Sequence, residues 1–247
     1  MKIIPTIFKI FISALFPTSK AEQEILSMLP EKAFEILPKA PGYEGLAVPL
    51  NNSRSIFAYK DERVSKLIWN IKYKKSEQAI KIGSYALWHE LCLSRLSILR
   101  CDLNPSDPKV APEDAVMIKP SYRIVIIPIP ITSRRRKERG YNQCELLVDE
   151  IERLDTAKHF IIEKNLLIRT HHTNRQTLKG RMDRLESAKG IFALDENLIK
   201  RSAYENIFEY PVIIIDDVIT TGSTMYEAIE AIRKAGFHDI RGLSLAH

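Results

Sequence analysis

A chain of 247 residues with 45% hydrophobic content can bury one sizeable core, and fits one domain with an appendage better than two independent domains. Cys92, Cys101 and Cys144 are odd in number and widely spaced, which excludes a disulfide framework and a zinc site of paired ligands; a reducing cytoplasm and no zinc are expected. A net charge of +6 and a pI near 9.1 suit a polyanionic partner, either nucleic acid or a small ligand with several phosphates, and equally suit a surface kept soluble by lysine and arginine.

The N-terminal run MKIIPTIFKIFISALFPTSKA is broken by Pro5 and Lys9 and falls short of the roughly 20 apolar residues of a membrane span. A short amphipathic helix packed on the domain is expected, with no membrane association. Residues 20–50 carry Pro30, Pro38, Pro41 and Pro49, which predicts one short helix followed by an extended connector. Residues 1–54 thus form a helical extension and connector, and 55–247 the main domain.

A β-prone run from Ser55 to Tyr59 precedes Val64, Leu67, Ile68 and Ile71, spaced to build one apolar helix face. A second helix is predicted from Glu77 to Leu99. Residues 101–120 mix Pro105, Pro108, Pro112 and Pro120 with polar residues, the composition of a mobile insertion. The pattern then changes to RIVIIPIP, residues 123–130, a near-continuous apolar run expected of a strand buried on both faces.

Tyr141 to Leu154 reads as helix, Leu166 to Arg169 as strand, and Val212 to Ile215 as a second fully apolar strand. Thr224 to Ala235 reads as helix closed by Gly236, and Gly242 to Ala246 as a last short strand. Strands alternating with helices predict an α/β fold with a mostly parallel sheet covered on both faces, in which ligands bind beyond the carboxyl ends of the strands.

After Ile215 come Asp216, Asp217, Val218, Ile219, then Thr220, Thr221, Gly222, Ser223 and Thr224 at a helix start. Free amides and the positive dipole end of a helix make a turn of small residues a phosphate cradle. Gly222 lets the backbone approach, and the flanking hydroxyls add donors. Two adjacent carboxylates before the cradle suit a sugar with vicinal hydroxyls and favour a nearby cation. A phosphate plus a diol describes ribose 5-phosphate; an ordinary capped turn would account for one or two of these residues, not the series.

This series resembles the 5-phosphoribosyl-1-pyrophosphate (PRPP) signature of type I phosphoribosyltransferases. Further segments narrow the resemblance. Pro128, Ile129 and Pro130 followed by Arg134, Arg135, Arg136, Arg139, Gly140, Tyr141, Asn142 and Gln143 are similar to the "PxP, basic loop, RGFNQ" block of the competence-protein ComF (GntX-like) family, with Tyr141 in place of phenylalanine. Arg169, Gln176 and Arg184 resemble its "R, Q, R" block, and Lys72-Tyr73 its early lysine-aromatic pair. Two departures stand out: no CxxC follows Phe16-Pro17, where many relatives carry a zinc ribbon, and Ser187 stands where asparagine is usual.

The resemblance implies a type I phosphoribosyltransferase-like fold and a pentosyl-type glycosyltransferase that moves ribose 5-phosphate from PRPP to a nitrogen nucleophile, releasing pyrophosphate bound to Mg2+. Asp216 and Asp217 would be the catalytic pair on the ribose hydroxyls, and Thr220 to Thr224 would hold the 5-phosphate. Arg134, Arg135, Arg136 and Arg139 offer forks for pyrophosphate or for nucleic acid, or form a solvated charge run. His171 and His172 read as exposed loop residues, since neighbours on a strand face opposite ways and could not share a metal.

A second reading is a non-catalytic protein of DNA uptake or processing that senses a phosphate or nucleotide, with single-stranded DNA and the competence machinery as partners. The acceptor and the oligomeric state, a homodimer included, stay open.

Overall fold

In a computed structural model the chain is described over residues 19–43, 46, 48, 50, 52–101, 123–170, 190–199 and 207–247. The expected helix before residue 19, the proline-rich insertion, His171, His172, Gln176, Arg184 and Ser187 lie outside them.

Two helices, α1 (Lys20–Ser27) and α2 (Pro30–Ile36), occupy a stretch where one was predicted. Pro30 stands at the first turn of α2, where its missing N–H costs nothing, so it starts a helix instead of ending one. Strand β1 (Ser53–Phe57) leads to α3 (Glu62–Trp69), whose cap Asp61 accepts from the amides of Arg63 and Val64. Helix α3 widens into a π turn, Asn70–Lys74, closed by Lys75 at φ 51°. The long α4 (Glu77–Cys101) comes next.

The second part of the chain holds β2 (Ile124–Pro128), α5 (Ser133–Arg139), α6 (Gln143–Leu154) and β3 (Phe160–Ile162). Then come β4 (Leu167–Arg169), β5 (Phe192–Leu194), the single turn α7 (Glu196–Ile199), β6 (Val212–Val218), α8 (Ser223–Lys234) and β7 (Ile240–Ala246).

Five strands form one parallel sheet in the order β1-β7-β6-β2-β3, flanked by helices: a type I phosphoribosyltransferase-like α/β fold. Successive side chains of a strand face opposite ways, and the core divides accordingly. Ile124, Ile126, Ile213 and Ile215 pack with α3, α4 and α6 on one face. Val125, Ile127, Val212 and Ile214 pack on the other face, under α8. Ile25, Ala33 and Leu37 of the N-terminal helical segment join the first cluster. The predicted apolar face of α3, with Ile71 beyond it, is fully buried there.

Three sequence expectations change. The run after Ile215 is strand, because β7 offers seven residues of edge and the ladder continues to Val218 opposite Ala246. Strand β4 leaves the parallel sheet and pairs antiparallel with β5; its half-exposed Ile168 marks a segment covered on one side only. The basic "loop" is helix α5, capped by the Thr132 hydroxyl accepting from the Arg135 amide.

Candidate functional site

The strand order reverses between β6 and β2: β2 is followed by β3 on one side, and β6 by β7 on the other. Such a switch point opens a crevice at the carboxyl ends of the two strands. In the β2/β6 register Pro128 lies opposite Ile215, and the Ile129 amide donates to the Ile215 carbonyl at 2.9 Å. The basic segment after β2 and the acidic pair of β6 therefore leave the sheet side by side.

Asp216 and Asp217 are 8% and 4% exposed. Asp217 meets the Lys72 ammonium of the π turn at 3.1 Å, yet its Oδ2 accepts no hydrogen bond of good geometry. Asp216 Oδ1 accepts from the Asp217 amide at 2.8 Å and from the buried Cys144 thiol at 3.7 Å. Burial, then the neighbouring Asp217 charge, raises the Asp216 carboxyl to about 7. Burial also lifts the Cys144 thiol well above its usual range, so it remains a donor.

Beyond Ile219 the chain turns through Thr220 and Thr221 to Gly222, which caps α8 at φ 82°. A Cβ at Gly222 would come within 2.9 Å of Val48 and Leu50 side chains, so both backbone angle and space require glycine. Thr221 and Ser223 hydroxyls lie 3.1 Å apart at the helix start. The 12-residue α8 thus presents free amides and a hydroxyl rim beside the acidic pair.

On α5, Arg134 pairs with Glu138 and Arg136 with Glu145, while Arg135 has no ion-pair partner among the described residues. Arg169 ends β4, half-buried over the Phe192 ring, where its charge senses Arg135 and Asp216. A cleft of about 520 Å³ between α5 and β4 is lined by Thr132, Arg134, Arg136, Lys164 and Arg169. A larger cleft, about 840 Å³, runs between Lys39 and Glu90 along β1 and contains neither the acidic pair nor the α5 arginines.

Residues after the arginines have structural roles. Gly140 ends α5 at φ 81°. Asn142 accepts from the Cys144 amide to cap α6 and donates to the Ile129 carbonyl at 3.0 Å, fixing α6 to the end of β2. The Tyr141 hydroxyl donates to the Ile71 carbonyl, and Arg139 donates to Gln143 and lies over the Tyr73 ring. This block ties the π turn to the switch point. Sequence reading left Lys72 as a motif residue and Cys144 as a lone cysteine; their contacts with the acidic pair join distant segments and have no local signal.

The fold is a phosphoribosyltransferase-like α/β fold, with a buried acidic pair at its switch point. No family model matches the chain. Competence protein F of Haemophilus influenzae is 35% identical over 122 residues, 49% of each chain. Competence protein ComFC of Bacillus subtilis is 29% identical over 119 residues, 48% of this chain and 42% of the relative. The DNA utilization protein YhgH of Escherichia coli O157:H7 is 30% identical over 111 residues, 45% of this chain and 44% of the relative. The matches thus span about half the length of these relatives, or less, and over that part the chain is similar to proteins of the ComF family.

Among the described residues no helix is long and apolar enough to cross a membrane, and no cluster of three or more histidine, cysteine or acidic side chains could hold a metal.

Proposed function

We propose that this chain binds PRPP at the carboxyl end of β6 and transfers its phosphoribosyl group to a nitrogen nucleophile, in a process tied to DNA uptake or use. The observation that carries the reading is the buried Asp216–Asp217 pair set directly before the Gly222 turn and α8. Asp216 and Asp217 accept from the ribose hydroxyls, and residues 220–224 receive the 5-phosphate. In transfer, the bond from ribose C1 to pyrophosphate breaks with its electron pair leaving on the phosphate. The acceptor nitrogen forms the new bond to C1 and loses its proton.

Catalysis of this kind needs positioning and charge more than a nucleophilic side chain. Arg135 and Arg169, with the other α5 arginines, supply charge toward the leaving pyrophosphate. Two carboxylates, with no third His, Cys or acidic ligand among the described residues, fit a magnesium ion carried in with pyrophosphate better than a resident ion. Asp217 Oδ2, buried and ion-paired with Lys72, and Asp216 are the groups that would face it. When bound, the ion offsets charge on the departing pyrophosphate.

A second reading, association with single-stranded DNA without transfer, is favoured by the four arginines and Lys137 between residues 133 and 139 and by the competence and DNA-utilization names of the relatives. Calorimetric titration separates the two. Magnesium and PRPP should bind the parent, and Asp216→Asn with Asp217→Asn should weaken binding by about 1.5 to 3 kcal/mol per lost contact while leaving DNA affinity intact. Replacing Arg134, Arg135 and Arg136 with alanine should weaken both ligands and flatten the salt dependence of DNA binding by nearly one unit per lost phosphate contact. A parent that ignores millimolar PRPP in calorimetry and melting overturns the first reading.

A further inference from the structure

Among the described residues Tyr59 and Tyr73 are exposed aromatic side chains, 41% and 47% open to solvent. Both line one cleft of about 390 Å³ between the end of β1 and the π turn, together with Lys66, Trp69 and Lys72. A single exposed tyrosine is common on a protein surface; here two line one concavity together with a tryptophan. Trp69 and Tyr73 ring centres are 5.8 Å apart. Cations cover this cluster: Arg139 lies 4.9 Å over Tyr73 and Lys74 4.9 Å over Trp69.

Carboxylates around the cleft are already matched. Asp217 faces Lys72, Glu22 faces Lys74, and Asp61 faces Arg63. The lining itself holds two lysines, Lys66 and Lys72, and no carboxylate, and Lys66 has no ion-pair partner among the described residues. From Tyr73 the positive surface continues through Arg139, the last residue of α5, to the arginines of that helix. At the inner end, Lys72 joins the cleft to the acidic pair.

We infer that this cleft is a stacking site for the bases of single-stranded DNA, with the α5 arginines following the phosphates. Aromatic faces plus a cationic track are what an unpaired strand requires, because every base has a face to stack and every link a charge. A duplex keeps its bases stacked on one another and cannot enter a concave aromatic site. The inference rests on the DNA-association reading and not on PRPP binding. It also sets a base within reach of the sugar-phosphate site.

The test uses a fluorescently labelled oligothymidylate of roughly 15 nucleotides and the full chain. Tyr59→Ala with Tyr73→Ala should lower affinity about tenfold or more, the scale of losing stacked bases, and leave the salt slope unchanged because no charge is removed. Tyr73→Phe should retain the parent's affinity, and the melting shift with PRPP should be the same in all three. If the parent binds no oligonucleotide, the DNA reading itself fails and the inference with it. A parent that binds while the double alanine variant matches it overturns the cleft alone, as does a hairpin duplex bound as tightly as the single strand.

Discussion

At Asp216 the protein holds a carboxylate where burial and a like neighbour both oppose its charge. Its folded-state value of about 7, against an ordinary 3.8, means that the folded protein keeps a proton which the unfolded chain gives up. Stability is therefore lost as pH rises through this window, and the full penalty stands above about pH 7. Asp216→Asn should raise stability in urea by on the order of 1–3 kcal/mol at pH 8 and much less at pH 4.5, since each pKa unit is worth about 1.4 kcal/mol and the shift is shared with Asp217. Equal stabilisation at both values would refute the held proton. The position of the pair was legible in the sequence, because two acids stand between an apolar strand and a glycine turn. Its partners were not: Lys72 and Cys144 reach it only through tertiary packing.

Among the elements, the junction between α5 and α6 sets the distance from the basic helix to the end of β2. Asn142 serves that junction twice, as helix cap and as donor to the Ile129 carbonyl, while almost fully buried. Asn142→Ala should cost about 1–3 kcal/mol in urea unfolding, combining a lost cap with an unpaired carbonyl. Asn142→Asp keeps the cap and loses the donor, so it should fall between the two. Strands β2 and β6 were readable from their apolar runs, and α8 from the small residues before it and Gly236 after it. Helix α5 was not, because cations in a first turn oppose the helix dipole. Arginine nonetheless has good helix propensity, and the Thr132 cap with the Glu138 and Glu145 pairs favours the helix. Strands β3 and β5, at three residues each, are too short to impose a period.

Across the whole molecule, β1 joins the sheet only through β7, and its Phe57 packs edge-on to Phe34 of α2. Phe57→Ala should therefore destabilise the N-terminal helices and the sheet together, by about 3–5 kcal/mol, in one transition seen alike by circular dichroism and tryptophan fluorescence. Two separate transitions in the parent would instead mark α1 and α2 as an independent unit. The alternation of strands and helices told of a parallel sheet, but the position of β1 was hidden, since strand order depends on pairing over long separations. That pairing has a consequence during synthesis. Ser55 and Ser244, neighbours 2.5 Å apart across β1 and β7, are 189 positions apart in sequence. At roughly 5–20 residues per second, a ribosome takes about 10 to 40 s to make the interval. For that time β1 has no native strand partner and Ile56 and Phe57 no finished core, so the nascent chain offers a binding site to chaperones until its last strand emerges.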